Sequence, residues 1–199
     1  MIERIEQLTK NLWSNPEAID YLRGRGFGFD IIEAYDLGYE VEGYFANSIA
    51  IPYKSGLGKW TGIKYRRLDP GERPKYDKER GQPNLIFNMG DLRHPEAWVT
   101  EGEFNAMTLI EHGCHAVAIG GAENMKEHWR HLFYGTKLFL AFDGDAAGRQ
   151  ASIKWARFLR QGKPRIEYVV VDLPDNEDIN SLYLSDTEGF GSWLESWKS

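Results

Sequence analysis

From residue 96 onward the chain alternates short apolar runs with amphipathic stretches, and this rhythm constrains the fold more than any other feature. The pattern predicts strand 97–100, helix 103–112, strand 115–119, helix 124–133, strand 137–142, helix 145–161, strand 167–171 and short helices near 179–184 and 187–197. Alternating strands and helices of this length build a mostly parallel, Rossmann-like sheet with helices on both faces. In such sheets ligands sit beyond the carboxyl ends of the strands. Two of the apolar runs end in acids at that edge. Ala97-Trp98-Val99-Thr100 stops at Glu101-Gly102, and Leu138 to Phe142 stops at Asp143-Gly144-Asp145. Carboxylates gathered at one edge repel unless a cation sits among them, and hard oxygen ligands suit Mg²⁺ or Mn²⁺. Phosphoryl or nucleotidyl transfer is the chemistry expected of that set. Asp143 or Asp145 also suits a cap on the helix that follows, a role that needs only one of them and coexists with metal binding.

Residues 1–95 read differently. Apolar spacing predicts a helix over 3–12 and a second from Asn15-Pro16, with Asn15 as cap. A third helix is predicted over 29–36. Ser48 to Tyr53 and Trp60 to Leu68 read as a hairpin around Gly56-Leu57-Gly58. Residues 69–84 read as a loop rich in Pro, Gly and charge, and Leu85-Ile86-Phe87 as a short strand. This gives a small α+β subdomain over 1–95 and an α/β domain over 96–199, divided at His94-Pro95.

The net charge of −6 argues against a protein that coats nucleic acid, but its distribution is uneven. Residues 54–80 hold nine Lys or Arg against four acids, a local excess of +5. A basic surface beside an acidic one suits an enzyme with a polyanion groove next to a cation site; a solvated loop is the plainer reading. Cys114 is the single cysteine, which excludes an internal disulfide and a Cys-rich zinc site. No secretory signal and no membrane-spanning run is evident, so a cytoplasmic protein is expected. His112, His115, His128 and His131 lack ligand spacing and read as structural or surface residues.

The ordered pair of Glu-Gly and Asp-x-Asp-x-x-Gly, on strand and helix units with fitting separation, resembles the Toprim domain over residues 97–185. That domain is shared by bacterial-type primases, type IA and II topoisomerases and some nucleases. The resemblance implies that Glu101 is catalytic and that Glu101, Asp143 and Asp145 serve Mg²⁺ or Mn²⁺. Leu173-Pro174-Asp175-Asn176-Glu177-Asp178-Ile179-Asn180 is similar to a primase acidic segment and adds Asp178 as a metal ligand. Asn180 and Asn105 stand where that pattern has further acids, which puts a tightly held second or third metal in doubt. Tyr21-Leu22-Arg23-Gly24-Arg25-Gly26-Phe27, Gly62 to Leu68 and Pro74-Lys75-Tyr76 resemble the opening of the DnaG-type primase core.

The resemblance implies a nucleic-acid surface made by Lys64, Arg66, Arg67, Lys75 and Tyr76. Tyr65 and Tyr76 are as well suited to packing under the sheet as to stacking on bases. The function implied is RNA primer synthesis on single-stranded DNA from ribonucleoside triphosphates. A Toprim nuclease and a non-catalytic nucleic-acid-binding module are the alternatives. Primases of this type usually begin with a zinc ribbon and end in a helicase-contacting domain. Neither is recognisable, so a fragment or a reduced phage-like protein is expected, working with a separate zinc-ribbon protein and helicase.

Overall fold

The computed structural model describes every residue of the chain except 70, 122, 123, 125, 162, 163 and 199. Two compact units divide at Pro83/Asn84.

In the first unit three helices come first: α1 (Ile2–Trp13), α2 (Pro16–Gly24) and α3 (Phe29–Ala34). The Asn15 side chain accepts from the Ala18 N–H at 2.9 Å and Pro16 opens α2, as the sequence predicts. A four-stranded antiparallel sheet follows, in order β1 (Gly38–Glu40), β2 (Ser48–Lys54), β3 (Trp60–Arg67), β4 (Tyr76–Lys78). Ile5 and Leu8 of α1 pack on Ala50, Ile63 and Tyr65. Gly38 is required beneath α1, because a Cβ there would lie 2.5 Å from the Leu8 side chain. Strands β1 and β4 are three residues each, too short to show an alternating pattern, and both escape the sequence reading. Strand β4 lies inside the predicted 69–84 loop, of which residue 70 is outside the described residues.

The second unit is the parallel sheet that the rhythm predicts. Its order is β6-β5-β7-β8, from β5 (Glu96–Thr100), β6 (Ala116–Ala118), β7 (Lys137–Leu140) and β8 (Tyr168–Val170), with every pairing parallel. The helices are α4 (Glu103–Glu111), α5 (Ala146–Arg160), α6 (Ile179–Ser185) and α7 (Phe190–Lys198). Strand alternation sorts the two faces. Ala97, Val99, Leu138 and Leu140 join Trp129, Phe133, Trp155 and Phe158 on one side. On the other side Trp98 stacks on Phe139 and meets Trp193 of α7. The helix predicted over 124–133 is a 3-10 helix at Glu127–Phe133, with residue 125 outside the described residues.

Residues 84–95 are part of this unit. Phe87 forms a single antiparallel bridge to Ala118 instead of the predicted strand, and a 3-10 turn over Met89–Arg93 packs beside β5 and β6. The compact division therefore falls eleven residues before His94-Pro95. Among the described residues no helix is long and apolar enough to cross a membrane.

Candidate active site

The four acids singled out from the sequence lie in loops at the carboxyl edge of the parallel sheet. Strands β5 and β7 are neighbours, with Val99 opposite Leu140 and the Ala141 N–H bonded to the Val99 carbonyl at 2.9 Å. Glu101 and Asp143 therefore follow directly from paired strand ends. Asp145 caps α5, its Oδ1 accepting from the Gly148 N–H at 2.7 Å. Asp178 caps α6 in a capping box, its Oδ1 accepting from the Ser181 N–H at 2.7 Å.

The loop that carries Asp178 is locked onto the loop that carries Asp143 and Asp145. The Gly144 N–H donates to the Glu177 carbonyl at 2.7 Å, and the Asn176 N–H donates to the Gly144 carbonyl at 3.1 Å. Asn176 takes the left-handed conformation to do so, with φ 62°. Gly144 must be glycine, since a Cβ there would stand 2.0 Å from the Pro174 carbonyl oxygen. Arg149 reinforces the clamp by pairing with Asp172 at 2.9 Å and with Asp175, and by reaching the Gly144 carbonyl at 3.3 Å. A cavity of about 220 Å³ opens beside Asp143 and Gly144, walled by Ile153, Val171 and Leu173.

The two amides are the part of this site whose role the sequence does not show. Asn105 on α4 donates from Nδ2 to Asp143 Oδ1 at 3.2 Å, and its Oδ1 accepts from the Asn180 N–H at 3.2 Å. Asn180 donates to Thr108 Oγ1 at 2.9 Å, and Thr108 donates to the Phe104 carbonyl at 2.9 Å. Asn105, Asn180 and Thr108 are buried. A neutral hydrogen-bonded ladder thus runs beneath Asp143, where additional buried carboxylates would repel it.

The donor set fits a hard divalent cation. It is all oxygen, lies in loops at the carboxyl edge of the sheet, and each helix cap uses only one oxygen of Asp145 or Asp178. Yet no three of these four carboxylates come within 4.8 Å of one another. Among the described residues the group that meets that spacing is Asp91, His94 and His115. The sequence reading passes over the Asp-His-His group, because its members have no motif spacing and meet only through the sheet.

In the first unit the basic residues divide. Arg66 and Arg67, expected to line a groove, are buried, each only 4% exposed. Arg66 donates from Nε to the Tyr21 hydroxyl at 2.6 Å and from Nη1 to the Tyr76 hydroxyl. Arg67 donates to the Tyr44 carbonyl at 3.0 Å and pairs with Asp77 at 3.4 Å. Tyr65 is fully buried and stacked on Phe45 at 4.1 Å, so the packing reading holds for it. Lys75 is exposed and Lys64 half-buried. Lys64 stands opposite Lys78 in the β3–β4 register, with its Nζ 4.7 Å from the Tyr76 ring centre.

Residues 98–183 match the Toprim-like family model. The gene 57 protein of Mycobacterium phage D29 is 32% identical over 148 residues, covering 71% of this chain and 93% of that protein. A DNA primase of Legionella pneumophila is 29% identical over 225 residues, covering 89% of this chain and 38% of the primase. The chain thus spans little more than a third of that relative. Among solved structures, the zinc-binding and RNA polymerase domains of the Aquifex aeolicus primase superpose with a TM-score of 0.82 at 22% identity, over 98% of this chain and 58% of that one. A DnaG primase catalytic domain bound to single-stranded DNA gives 0.82 at 20% identity, over 100% and 76%. At such identities the likeness concerns the fold.

Proposed function

This chain belongs to the DnaG-type primase core family, with a phage protein among its relatives, and from that premise we propose that it is a nucleotidyl-transfer core that joins ribonucleotides on a single-stranded DNA template. The observation that carries this reading is the Asp143-Gly144-Asp145 loop, held at the sheet edge by Asn105 and by the 174–177 loop, beside the strand that ends in Glu101.

Asp143, Asp145 and Asp178 would hold Mg²⁺ or Mn²⁺, with Glu101 completing the set. When bound, the cation offsets negative charge on the phosphoryl group being transferred. Glu101 either shares in holding it or takes the proton of the attacking 3′-hydroxyl. Asn105 acts through Asp143 and is a positioning residue. In the first unit the Lys64, Lys78 and Lys75 ammonium groups take template phosphates. Two lysines opposite each other in a strand pair disfavour the fold and favour a bound anion. Arg66 and Arg67 orient Tyr76 and Tyr44 rather than reaching the strand themselves. A separate zinc-ribbon protein and a replicative helicase are the partners expected.

The test is incorporation of labelled ribonucleotides on a single-stranded template with Mg²⁺ or Mn²⁺. Glu101→Gln and Asp143→Ala should each lower the rate by about a thousandfold; wild-type rates in both would end this reading. The neutral Asn105–Asn180 ladder favours one competing possibility, a module that binds nucleic acid without chemistry. Absence of Mn²⁺ binding in calorimetry, together with intact DNA binding, would select it.

A further inference from the structure

At the opposite edge of the same sheet, Asp91, His94 and His115 bring ligating atoms within 4.8 Å of one another. We propose that these three residues form a second, independent metal site, selective for Zn²⁺ or a similar first-row transition ion, that ties the 89–94 turn to the amino ends of β5 and β6. Asp91 lies in the 3-10 turn, His94 two residues before β5, and His115 one residue before β6. The acids of the active site lie one strand away, roughly 15 Å along β5, so the two sites do not share ligands.

The scaffold is fixed from several sides. Asp91 Oδ2 accepts from the Ala116 N–H at 3.0 Å and stands 3.7 Å from His115 Nδ1. Asn88 Nδ2 donates to the Ala116 carbonyl at 2.9 Å. Thr136 Oγ1 lies within hydrogen-bond distance of the Leu92 carbonyl at 2.8 Å and the His94 carbonyl at 3.1 Å, which share its one proton. The two imidazoles lie face to face, centres 3.4 Å apart and planes 6° from parallel. Ligand atoms around a tetrahedral Zn²⁺ stand about 3.4 Å from one another, given Zn–N and Zn–O bonds near 2.0–2.2 Å. The 4.8 Å spacing is wider than this, so binding requires the stacked rings to turn their in-plane nitrogens toward a common ion.

The chemistry of the set decides which ion binds. Two neutral imidazoles and one carboxylate suit Zn²⁺, Co²⁺ or Ni²⁺, whereas Mg²⁺ prefers oxygen ligands and keeps its waters. The Ala116 N–H on Asp91 leaves that carboxylate one further oxygen and fixes its direction, as outer hydrogen bonds do at metal sites. His115, with a side chain 46% exposed, leaves the site open to solvent on one side. Because the ion would bridge a turn to two strand starts, its effect is on stability rather than on the phosphoryl chemistry.

Calorimetric titration of the whole chain with Zn²⁺, in millimolar Mg²⁺ to fill the carboxylate site, tests the proposal. Co²⁺ serves as a visible-absorption probe of coordination. One equivalent of Zn²⁺ should bind, with d–d bands for Co²⁺ and a rise in Tm of about 5 °C at a hundredfold excess over Kd. His115→Ala and Asp91→Asn should each weaken binding by about a hundredfold, while Asp145→Asn leaves it unchanged. Asp91→Asn keeps an oxygen for the Ala116 N–H, so it controls for folding. Equal Zn²⁺ affinity in wild type, His115→Ala and Asp91→Asn, or no binding by the wild type, would overturn the site, as would loss in Asp145→Asn alone.

Discussion

The two units use charge in opposite ways. Residues 1–83 hold 13 basic and 13 acidic side chains, and residues 84–199 hold 11 and 17. In the first unit the cations most prominent in the sequence, Arg66 and Arg67, are turned inward against tyrosines and Asp77. In the second the prominent acids stay at the sheet edge, and uncharged amides fill the interior beneath them. A buried charge needs partners from several directions, and guanidinium, with five donors in a fixed fork, can use tyrosine hydroxyls and carbonyls together. Carboxylates have no comparable way to share a small space without a cation. Charge counted along a sequence therefore does not distinguish acids left at a sheet edge from arginines turned into the interior.

The sharpest way to break the acidic half of this comparison is Gly144→Ala. The new methyl would overlap the Pro174 carbonyl and push the 174–177 loop off Asp143 and Asp145. A cost of about 3 kcal/mol in urea unfolding is expected, with metal affinity lost in parallel. Unchanged stability would show that the two loops are not locked. Asn105→Asp is the next largest change. It sets two carboxylates about 3.2 Å apart in a buried place and should destabilise the unit by roughly 2 kcal/mol in chelator. The pair would hold a proton more tightly than either acid alone. Its penalty is therefore small at low pH and grows as pH rises past the ordinary carboxylate range. Mn²⁺ should restore part of the loss; no response to Mn²⁺ would place the cation elsewhere.

The same contrast can be sharpened in the basic unit. Arg66→Ala leaves the Tyr21 and Tyr76 hydroxyls without their buried donor and should cost about 2 kcal/mol of stability. Lys75→Ala, on the exposed side, should change stability by under about 0.5 kcal/mol. It should lower the salt dependence of single-stranded DNA binding by nearly one counterion. The reverse pattern, a stable Arg66→Ala with weakened DNA binding, would return Arg66 to the surface role read from the sequence.

What the sequence discloses follows from the length over which each signal repeats. Helices α1, α2 and α5 and strands β2, β3 and β5 each run long enough to show a period or end in a strong cap or acid. They lie within a residue or two of their predicted bounds. Strands β1 and β4 have three residues and no period, so only pairing with β2 and β3 defines them. The acid loops were legible because strand ends fix where Glu101 and Asp143 emerge. The roles of Asn105 and Asn180 were not, since a hydrogen bond between residues 75 positions apart leaves no local pattern. The Asp91, His94 and His115 group was hidden for the same reason: two ligands are close in sequence, and the third arrives only when β6 lies against β5.

The smallest effect concerns Cys114, which ends the turn before β6 and is 6% exposed. Burial pushes its thiol above the ordinary range, with Lys198 opposing and Glu195 assisting. The folded chain thus holds this proton more tightly than the unfolded one. Its contribution to stability is full below the ordinary thiol value of about 8.5 and is lost as pH climbs through the raised one. Tyr39 and Tyr65 are shifted the same way, first by burial, but act from a higher starting value. Between pH 8 and 10 the urea midpoint of the wild type should therefore fall, and Cys114→Ala should remove part of that fall. The thiol should also react slowly with maleimides in the native protein at pH 8, because the thiolate is the attacking species. Fast labelling would mean that the start of β6 opens readily, and a turn that opens there could not hold His115 in place for a metal.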